Sequence, residues 1–290
     1  MATLEQSIPT HRQKSLRIGL QTILSYLLLL LLTVVMGLPF LWMVSSSFKS
    51  EGYIFIYPPQ WIPNPFRWQN YIDLTQEMPF VLFFYNSTKI ALLATFGQLL
   101  TCSLAAYAFA RFHFPGRDLL FTILLATMMV PFQVTMIPVF ITMHRLNLLD
   151  THFALWGPAF LGGAYGTFLL RQFFLTLPTD LEDAAQIDGC GRFGIWWRIF
   201  LPLSKPALTT LGIFVFMGNW NDLLGPVLYL STKAKMTLTI GLAMLFHQWG
   251  ATPWNLVMAG SVVMVLPILL IYALGQKYFV QGIVTTGLKF

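Results

Sequence analysis

Asp183-Ala184-Ala185-Gln186-Ile187-Asp188-Gly189 is a polar, helix-forming stretch in an otherwise apolar chain, and Pro202 follows it in the same loop. The loop separates two long windows that lack acidic and basic side chains. It holds four basic side chains of its own: Arg171, Arg192, Arg198 and Lys205. Ordering a loop costs conformational entropy, so we expect a partner outside the membrane to bind it.

The composition indicates that most of the chain lies in lipid. Of its 290 residues, 56% are hydrophobic and only 10% are charged, whereas soluble domains carry about 25% charged residues. Windows without charge, long enough for a membrane helix of about 20 residues, give these predicted spans: about 18–44, 86–110, 119–143, 152–171, 206–230 and 255–276. The sequence therefore predicts an all-α membrane protein with six transmembrane helices. Residues 18–290 form one transmembrane domain, and residues 1–17 precede it.

The basic residues predict the orientation of these spans. Of the 17 Lys and Arg residues, eleven lie at the two termini and in the 111–117 and 171–205 loops. The positive-inside rule places these segments in the cytoplasm. The net charge of +6 is explained by this orientation, so no nucleic-acid partner is predicted. The two cysteines have neither a disulfide pattern nor a metal-ligand spacing.

Two segments on the opposite side do not resemble spans. Residues 57–65 are rich in proline, which excludes a helix there. Residues 236–249 are apolar but too short to cross a membrane. The second segment predicts a re-entrant or interfacial helix on the outer face.

The polar loop has its own helix signals. Thr179-Asp180-Leu181-Glu182 fits a capping box, which begins a helix. Gly189 and Gly191 end that helix, and residues 193–200 can form a second one. Ala184 and Ala185 give the first helix a narrow face that could enter a groove on a partner. The alternative is an amphipathic loop on lipid headgroups, which the acidic cluster disfavours because the cytoplasmic leaflet is negative.

The same loop resembles the E-A-A-x-x-x-G signature of bacterial ABC importer permeases. The chain is similar to carbohydrate-uptake permeases, in particular the smaller membrane subunit of maltose-type importers. Further matches are Asn86-Ser87, Ala105-Ala106-Tyr107-Ala108-Phe109-Ala110-Arg111-Phe112, Pro131, Arg171-Gln172-Phe173-Phe174, Trp220-Asn221-Asp222, Trp254 and Gln276-Lys277-Tyr278-Phe279-Val280-Gln281-Gly282. Two positions depart from the pattern: Asp183 replaces the signature glutamate, and Cys190 replaces an alanine.

The resemblance implies a mechanism and a set of partners. Residues 178–202, called the coupling loop below, would seat in a cleft of a cytoplasmic ATPase that binds and hydrolyses ATP, and this chain would need no cofactor. The implied partners are two such ATPases, a second homologous permease, and a periplasmic or lipid-anchored substrate-binding protein at a bacterial inner membrane. The residues expected to carry the coupling are Glu182, Asp183, Ala184, Ala185, Asp188, Gly189 and Pro202. For Asp188, a simple cap of the following turn is the alternative.

Candidate substrate contacts lie near the end of the fifth predicted span. Asp222 is the one acid inside a predicted span, and an intramembrane acid is a functional hypothesis by default. Asn219, Trp220 and Asn221 add amides and an aromatic face suited to sugars. The favoured alternative is a structural group that ties helix ends together. Weaker candidates lie on the third span near a proline: Met129 and Gln133.

The sequence thus predicts a permease subunit of an ATP-driven importer for a sugar or sugar derivative, with no active site of its own. One alternative is a permease for glycerol phosphate or another polyol. Phosphate recognition would require basic pore residues, and the sequence predicts none there. An ion-coupled secondary transporter is a second alternative, although a single acid gives little support to a proton relay. A membrane-embedded enzyme is disfavoured, because the predicted spans of this chain carry neither paired acids nor a nucleophile with a base beside it.

Overall fold

The computed structural model describes residues 11–246 and 252–287, with side chains described for 21–246 and 252–277. Within these ranges the fold is helical and contains no strand. The helices are α1 His11–Ser47, α2 Asn70–Glu77, α3 Phe80–Arg111, α4 Arg117–Ala126, α5 Phe132–Arg145, α6 Phe153–Trp156, α7 Ala164–Leu175, α8 Asp180–Ile187, α9 Arg192–Ile195, α10 Leu201–Leu203, α11 Lys205–Trp220, α12 Leu224–Tyr229, α13 Leu238–Leu245 and α14 Trp254–Gly287. Residues 1–10 of the predicted N-terminal segment lie outside the described residues.

Four stretches of the described chain are long and apolar enough to cross a membrane: Gln21–Ser47, Phe80–Arg111, Phe153–Leu175 and Trp254–Lys277. Two sharply bent pairs raise the number to six if each pair is one span. Arg117–Met129 and Phe132–Arg145 meet at 101°, and Arg192–Leu203 and Lys205–Trp220 meet at 81°. The prediction of an all-α membrane protein is confirmed at the level of four to six candidate spans.

The predicted third span, 119–143, is two helices rather than one kinked helix. Val130 and Pro131 are extended, with ψ of 113° and 145°. Proline disfavours the helical conformation in the residue before it and has no N–H of its own, so the chain turns here. Helix α5 nevertheless continues through Pro138.

Three other predicted spans have different bounds in the structure. Helix α3 begins at Phe80, before the predicted 86–110 span, and the 152–171 span contains a break between α6 and α7. Helix α11 ends at Trp220, well short of the predicted 206–230. The shortening has a local cause, because the Asn219 and Asn221 side chains bond carbonyls one turn back and compete with the continuing helix.

Helix α3 is the central element, and a buried cluster surrounds each of its ends. At its start, Phe83 packs with Trp220 of α11 and Leu242 of α13. At its end, Tyr107 packs with residues of α7 and of the coupling loop, among them Phe174. Any movement of α3 must therefore involve both ends of the domain.

The Asn86-Ser87 pair attaches α3 to the segment before α13. The Asn86 side-chain amide donates to the carbonyls of Ala234 and Met236, at 3.0 and 2.9 Å. The Ser87 hydroxyl accepts from the Leu238 N–H at 2.8 Å, at the start of α13. Helix α13 is mostly buried, so it lies inside the protein rather than on an interface. Residues 247–249 of this predicted helix lie outside the described residues.

Candidate functional site

Helix α8 begins without the predicted capping box. Thr179 has helical backbone angles, with φ −66° and ψ −30°, and its side chain makes no capping bond. The Glu182 side chain does not reach back to residue 179, because it bonds Tyr107 of α3. The capping-box prediction is therefore wrong, and the acid assigned to it has a tertiary contact.

The end of α8 is a Schellman turn built around a left-handed glycine. Gly189 has φ +78°, and its N–H donates to the carbonyl of Gln186 at 3.0 Å. The Cys190 N–H donates to the carbonyl of Ala185 at 2.8 Å. This pair of bonds satisfies the last carbonyls of the helix. Gly189, which the sequence predicts at the end of this helix, thus ends it in a left-handed conformation where other residues are strained.

The residues expected to carry the coupling lie on two faces of α8 and the turn after it. Asp183 and Ala184 are exposed, whereas Glu182 and Ala185 turn towards the membrane domain. Both Asp188 and Gly189 are exposed in the turn that follows. The two alanines therefore do not share one narrow face, because neighbouring helix positions are about 100° apart. Exposed Pro202 lies further along the loop, in α10.

The Asp188 side chain does not cap the next turn. Its backbone N–H donates to the carbonyl of Ala184 at 3.0 Å and ends the helix. Its exposed carboxylate has no hydrogen bond within the described part of the chain. The carboxylate is therefore available to a partner.

The second half of the coupling loop is anchored by aromatic side chains. Helix α9 continues into a π-helical turn, Trp196–Phe200, which leads into α10. The Trp196 side chain is only 1% exposed, and Phe200 is also buried. The guanidinium of Arg192 lies 4.6 Å from the centre of the Phe112 ring. These contacts hold the base of the loop against the end of α3.

Glu182 belongs to a polar cluster beneath α8. The Tyr107 hydroxyl donates to its Oε1 at 3.3 Å, and Arg111 Nε lies 3.6 Å from its Oε2. Arg111 Nη2 also donates to the carbonyls of Phe174 and Leu177, at 2.9 and 2.6 Å. The Arg111 and Glu182 side chains are only 8% and 14% exposed. One guanidinium therefore joins the ends of α3 and α7 to the start of α8.

The candidate substrate residues near the end of α11 have intrachain partners. The Asp222 carboxylate accepts from the Gly225 N–H at 3.1 Å, in the first turn of α12. The indole N–H of Trp220 donates to the carbonyl of Met264 in α14 at 3.0 Å. Asn219 and Asn221 bond the carbonyls of Val215 and Met217. This arrangement supports the alternative that the group ties helix ends together.

The weaker pathway candidates flank the break between α4 and α5. Met129 lies in the short 3-10 turn before Pro131, and Gln133 lies in the first turn of α5. Both side chains are exposed, together with most of their neighbours from 126 to 134. The break therefore presents a surface that no described part of this chain covers.

Comparison with known proteins decides the family. Residues 98–285 match the family described as binding-protein-dependent transport system inner membrane component. The chain belongs to this family. Its members are ABC transporter permeases and not enzymes, so the predicted class of protein is confirmed.

Several curated permeases are similar to this one over most of its length. It is 37% identical to the sn-glycerol-3-phosphate transport system permease protein UgpE of Yersinia enterocolitica, over 80% of this chain and 84% of the relative. It is 34% identical to the sulfoquinovosyl glycerol transport system permease protein SmoH of Agrobacterium fabrum, over 87% and 88%. It is 37% identical to the arabinooligosaccharides transport system permease protein AraQ of Bacillus subtilis, over 71% and 73%.

A solved structure has the same fold as the permease. A chain from a bacterial ABC transporter involved in the import of the acidic polysaccharide alginate superposes with a TM-score of 0.81. The superposition covers 94% of this chain and all of the other, at 23% identity. At this identity the match establishes the shared fold alone.

The capping role of Asp222 gives a test of its importance to the permease. We expect Asp222→Ala to lower the free energy of unfolding by about 1 kcal/mol, the usual cost of losing a side-chain cap. Asp222→Asn keeps a side-chain oxygen and should unfold at nearly the parent temperature. Thermal unfolding of the purified permease in detergent measures both variants. If Asp222→Asn unfolds normally but stops transport, the carboxylate contacts substrate instead.

Two polar groups were missed by the sequence analysis. The first group contains Arg111, which lies in a stretch that matches the family. Its position as a basic residue at the end of a predicted span was the signal that could have identified it. The second group lies at the opposite end of the domain from Arg111. There the Asp150 carboxylate accepts from Lys235 Nζ at 2.8 Å and from the Thr232 hydroxyl at 2.6 Å. These bonds hold the pKa of Asp150 well below its usual range. Its partners follow 82 and 85 residues later in the chain, a separation that no local sequence pattern reveals.

Proposed function

We propose that this permease forms half of the translocation pathway of an ATP-driven importer for a sugar or sugar derivative. A cytoplasmic ATPase would dock on the exposed face of α8 and on the turn after it. The observation that carries this proposal is the arrangement of α8, which is anchored on one face and unpartnered on the other.

The unpartnered face has the chemistry of a docking surface. Ile187 is 86% exposed at the end of α8, and exposed Asp183, Ala184 and Asp188 surround it. A large apolar side chain beside acidic groups suits a helix that inserts into a partner's groove with a basic rim. Gly189 and Pro202 would shape the turn and the far end of this surface.

The proposed orientation follows from the distribution of charge. The coupling loop and both termini lie on the side that is rich in Lys and Arg, which is the cytoplasmic side of a bacterial inner membrane. Four spans before the coupling loop and two after it, with Arg117–Arg145 and α11 each taken as one span, would agree with this orientation. The family description, which names an inner membrane component, supports this location.

The remaining partners would cover the other surfaces. Residues 21–36 of α1 are all exposed, so lipid and a second homologous permease would pack there. A substrate-binding protein would dock on the opposite side. A bacterial alginate ABC transporter in complex with its periplasmic protein contains a chain similar in fold, with a TM-score of 0.58, which supports this proposal.

A second candidate substrate class is glycerol phosphate, because a relative at 37% identity is named for it. The sequence argument against this class, that the spans carry no basic residue, does not hold. Lys89 lies well inside α3, and it forms no salt bridge within the described part of the chain. Lys89, whose Nζ lies 5.9 Å from the centre of the Tyr85 ring, is the candidate basic contact for an anionic solute.

Reconstitution tests both the class and the substrate. The chain is purified with its ATPase, companion permease and binding protein, and inserted into liposomes. We expect ATP-dependent uptake of either an arabinose oligosaccharide or sn-glycerol 3-phosphate, and no uptake without the ATPase. Uptake that follows a proton gradient and needs no ATPase would instead indicate a secondary transporter.

Docking is tested separately by capture of the ATPase on the tagged permease. Asp183→Asn, on the exposed face of α8, should weaken capture. Asp118→Asn is the matched control, because it removes an exposed acid whose salt bridge among the described residues is to neighbouring Arg117. Equal capture by the two variants would contradict the assignment of α8 as the docking helix.

A further inference from the structure

Helix α8 has few attachments to the membrane domain apart from the chain itself. Among the described helices, none packs along α8 over an extended length. Its inward contacts are Ala185, at the edge of a buried cluster, and the Glu182 carboxylate. The carboxylate is the polar contact between α8 and α3.

Arg111 connects this contact to α7 and to the π-helical turn. Its guanidinium lies 3.6 Å from the Glu182 carboxylate and donates to the Phe174 and Leu177 carbonyls at the end of α7. It also lies 5.1 Å from the centre of the Phe200 ring, in the π-helical turn. A cation at these carbonyls is favoured by the dipole of α7. The side chain is therefore fixed by three elements while it belongs to the last turn of α3.

The geometry also explains why the neighbouring acids differ. Glu182 and Asp183 are adjacent, but Glu182 faces Arg111 and Asp183 faces solvent. A glutamate is long enough to reach the hydroxyl of Tyr107, which is itself buried. The two acids therefore have separate tasks, one towards the membrane domain and one towards a partner.

We propose that Arg111, paired with Glu182, is the joint through which movement of α8 reaches α3. The joint rests on the proposed function, since it requires an ATPase that moves α8. Glu182 is thus a positioning residue rather than a contact of the ATPase. Because α3 extends to the opposite end of the domain, a shift at Arg111 is passed to the packing around Phe83.

Hydrogen–deuterium exchange on the complete transporter tests the joint without a known substrate. The transporter is compared without nucleotide and after trapping with ATP and vanadate. In the parent, amides at 107–116 should change their exchange rate by at least about threefold on trapping. In Glu182→Gln this response should fall below about twofold, while protection of 178–190 by the ATPase is retained. Glutamine keeps the length of the side chain and removes the charge.

Three further variants distinguish failure of the proposed joint from failure of ATPase docking. Asp183→Asn should lose protection at 178–190, and Asp118→Asn should behave as the parent. Arg111→Gln combined with Glu182→Gln should respond no less than the more severe single variant, since each change alone already removes the ion pair between the two residues. If Arg111→Gln fails to assemble, Tyr107→Phe combined with Glu182→Gln gives the same comparison.

The outcomes distinguish the joint from the function on which it rests. A parent whose 107–116 segment does not respond to trapping, or a Glu182→Gln variant that responds fully, overturns the joint while docking stands. Loss of ATPase protection in Glu182→Gln also overturns it, because Glu182 would then be needed for docking. Absence of protection at 178–190 in the parent overturns the proposed docking itself.

Discussion

We expect Trp196→Ala to destabilise the coupling-loop end of the permease by about 3–5 kcal/mol, the usual cost of removing a large buried aromatic side chain. Trp196 is 1% exposed and packs in the cluster that contains Tyr107, Phe174 and Phe200. The lost ring would leave a cavity between the end of α3 and the coupling loop. Thermal unfolding of the purified protein in detergent measures the loss, and capture of the ATPase should fail at a lower temperature.

Trp197 provides the matched control for this prediction. It is the next residue in the same turn, but it is 58% exposed, so Trp197→Ala should change stability by no more than about 0.5 kcal/mol. Trp196→Phe should lie between the two, since it keeps an aromatic ring. It also removes an indole N–H that has no hydrogen-bond partner among the described residues. Equal losses at both tryptophans would show that the cluster does not hold the loop.

The sequence was sufficient for features that depend on local composition. Charge-free windows identified the apolar segments, because a bilayer accepts few charged side chains. The left-handed turn at Gly189 was also accessible, since glycine is the residue that adopts it at the lowest cost. The family signature then gave a hypothesis for the function of the loop, which composition alone could not.

Features that depend on contacts between distant residues could not be predicted from the sequence. The capping-box prediction failed because Glu182 bonds Tyr107, a residue in another helix. Pro131 and Pro138 look alike in sequence, but the chain breaks at the first and continues as a helix through the second. The bond from the Trp220 indole N–H to the Met264 carbonyl of α14 likewise joins residues that are distant in the sequence. For Glu182 the partner is a residue far along the chain, which no local pattern shows.

Gly189→Ala should weaken binding of the ATPase by about tenfold, which corresponds to about 1.4 kcal/mol. An added Cβ at Gly189 meets no atom within 4 Å, so crowding is not the cause. The cause is the backbone angle of +78°, which costs a residue other than glycine roughly 1–2 kcal/mol. The Schellman turn would open and α8 would lose its fixed end before Asp188. Titration of the ATPase against the detergent-solubilised permease measures the affinity.

Gly191→Ala separates the backbone effect from the added methyl group. Gly191 lies in the same turn and also has open space around it, but its φ of −70° suits any residue. Its alanine variant should therefore bind the ATPase within about twofold of the parent, whereas Gly189→Asn should lie between parent and Gly189→Ala, because asparagine tolerates the left-handed region. If both alanine variants weaken binding equally, the methyl group at the surface is responsible. The left-handed turn would then not be what presents α8 to its partner.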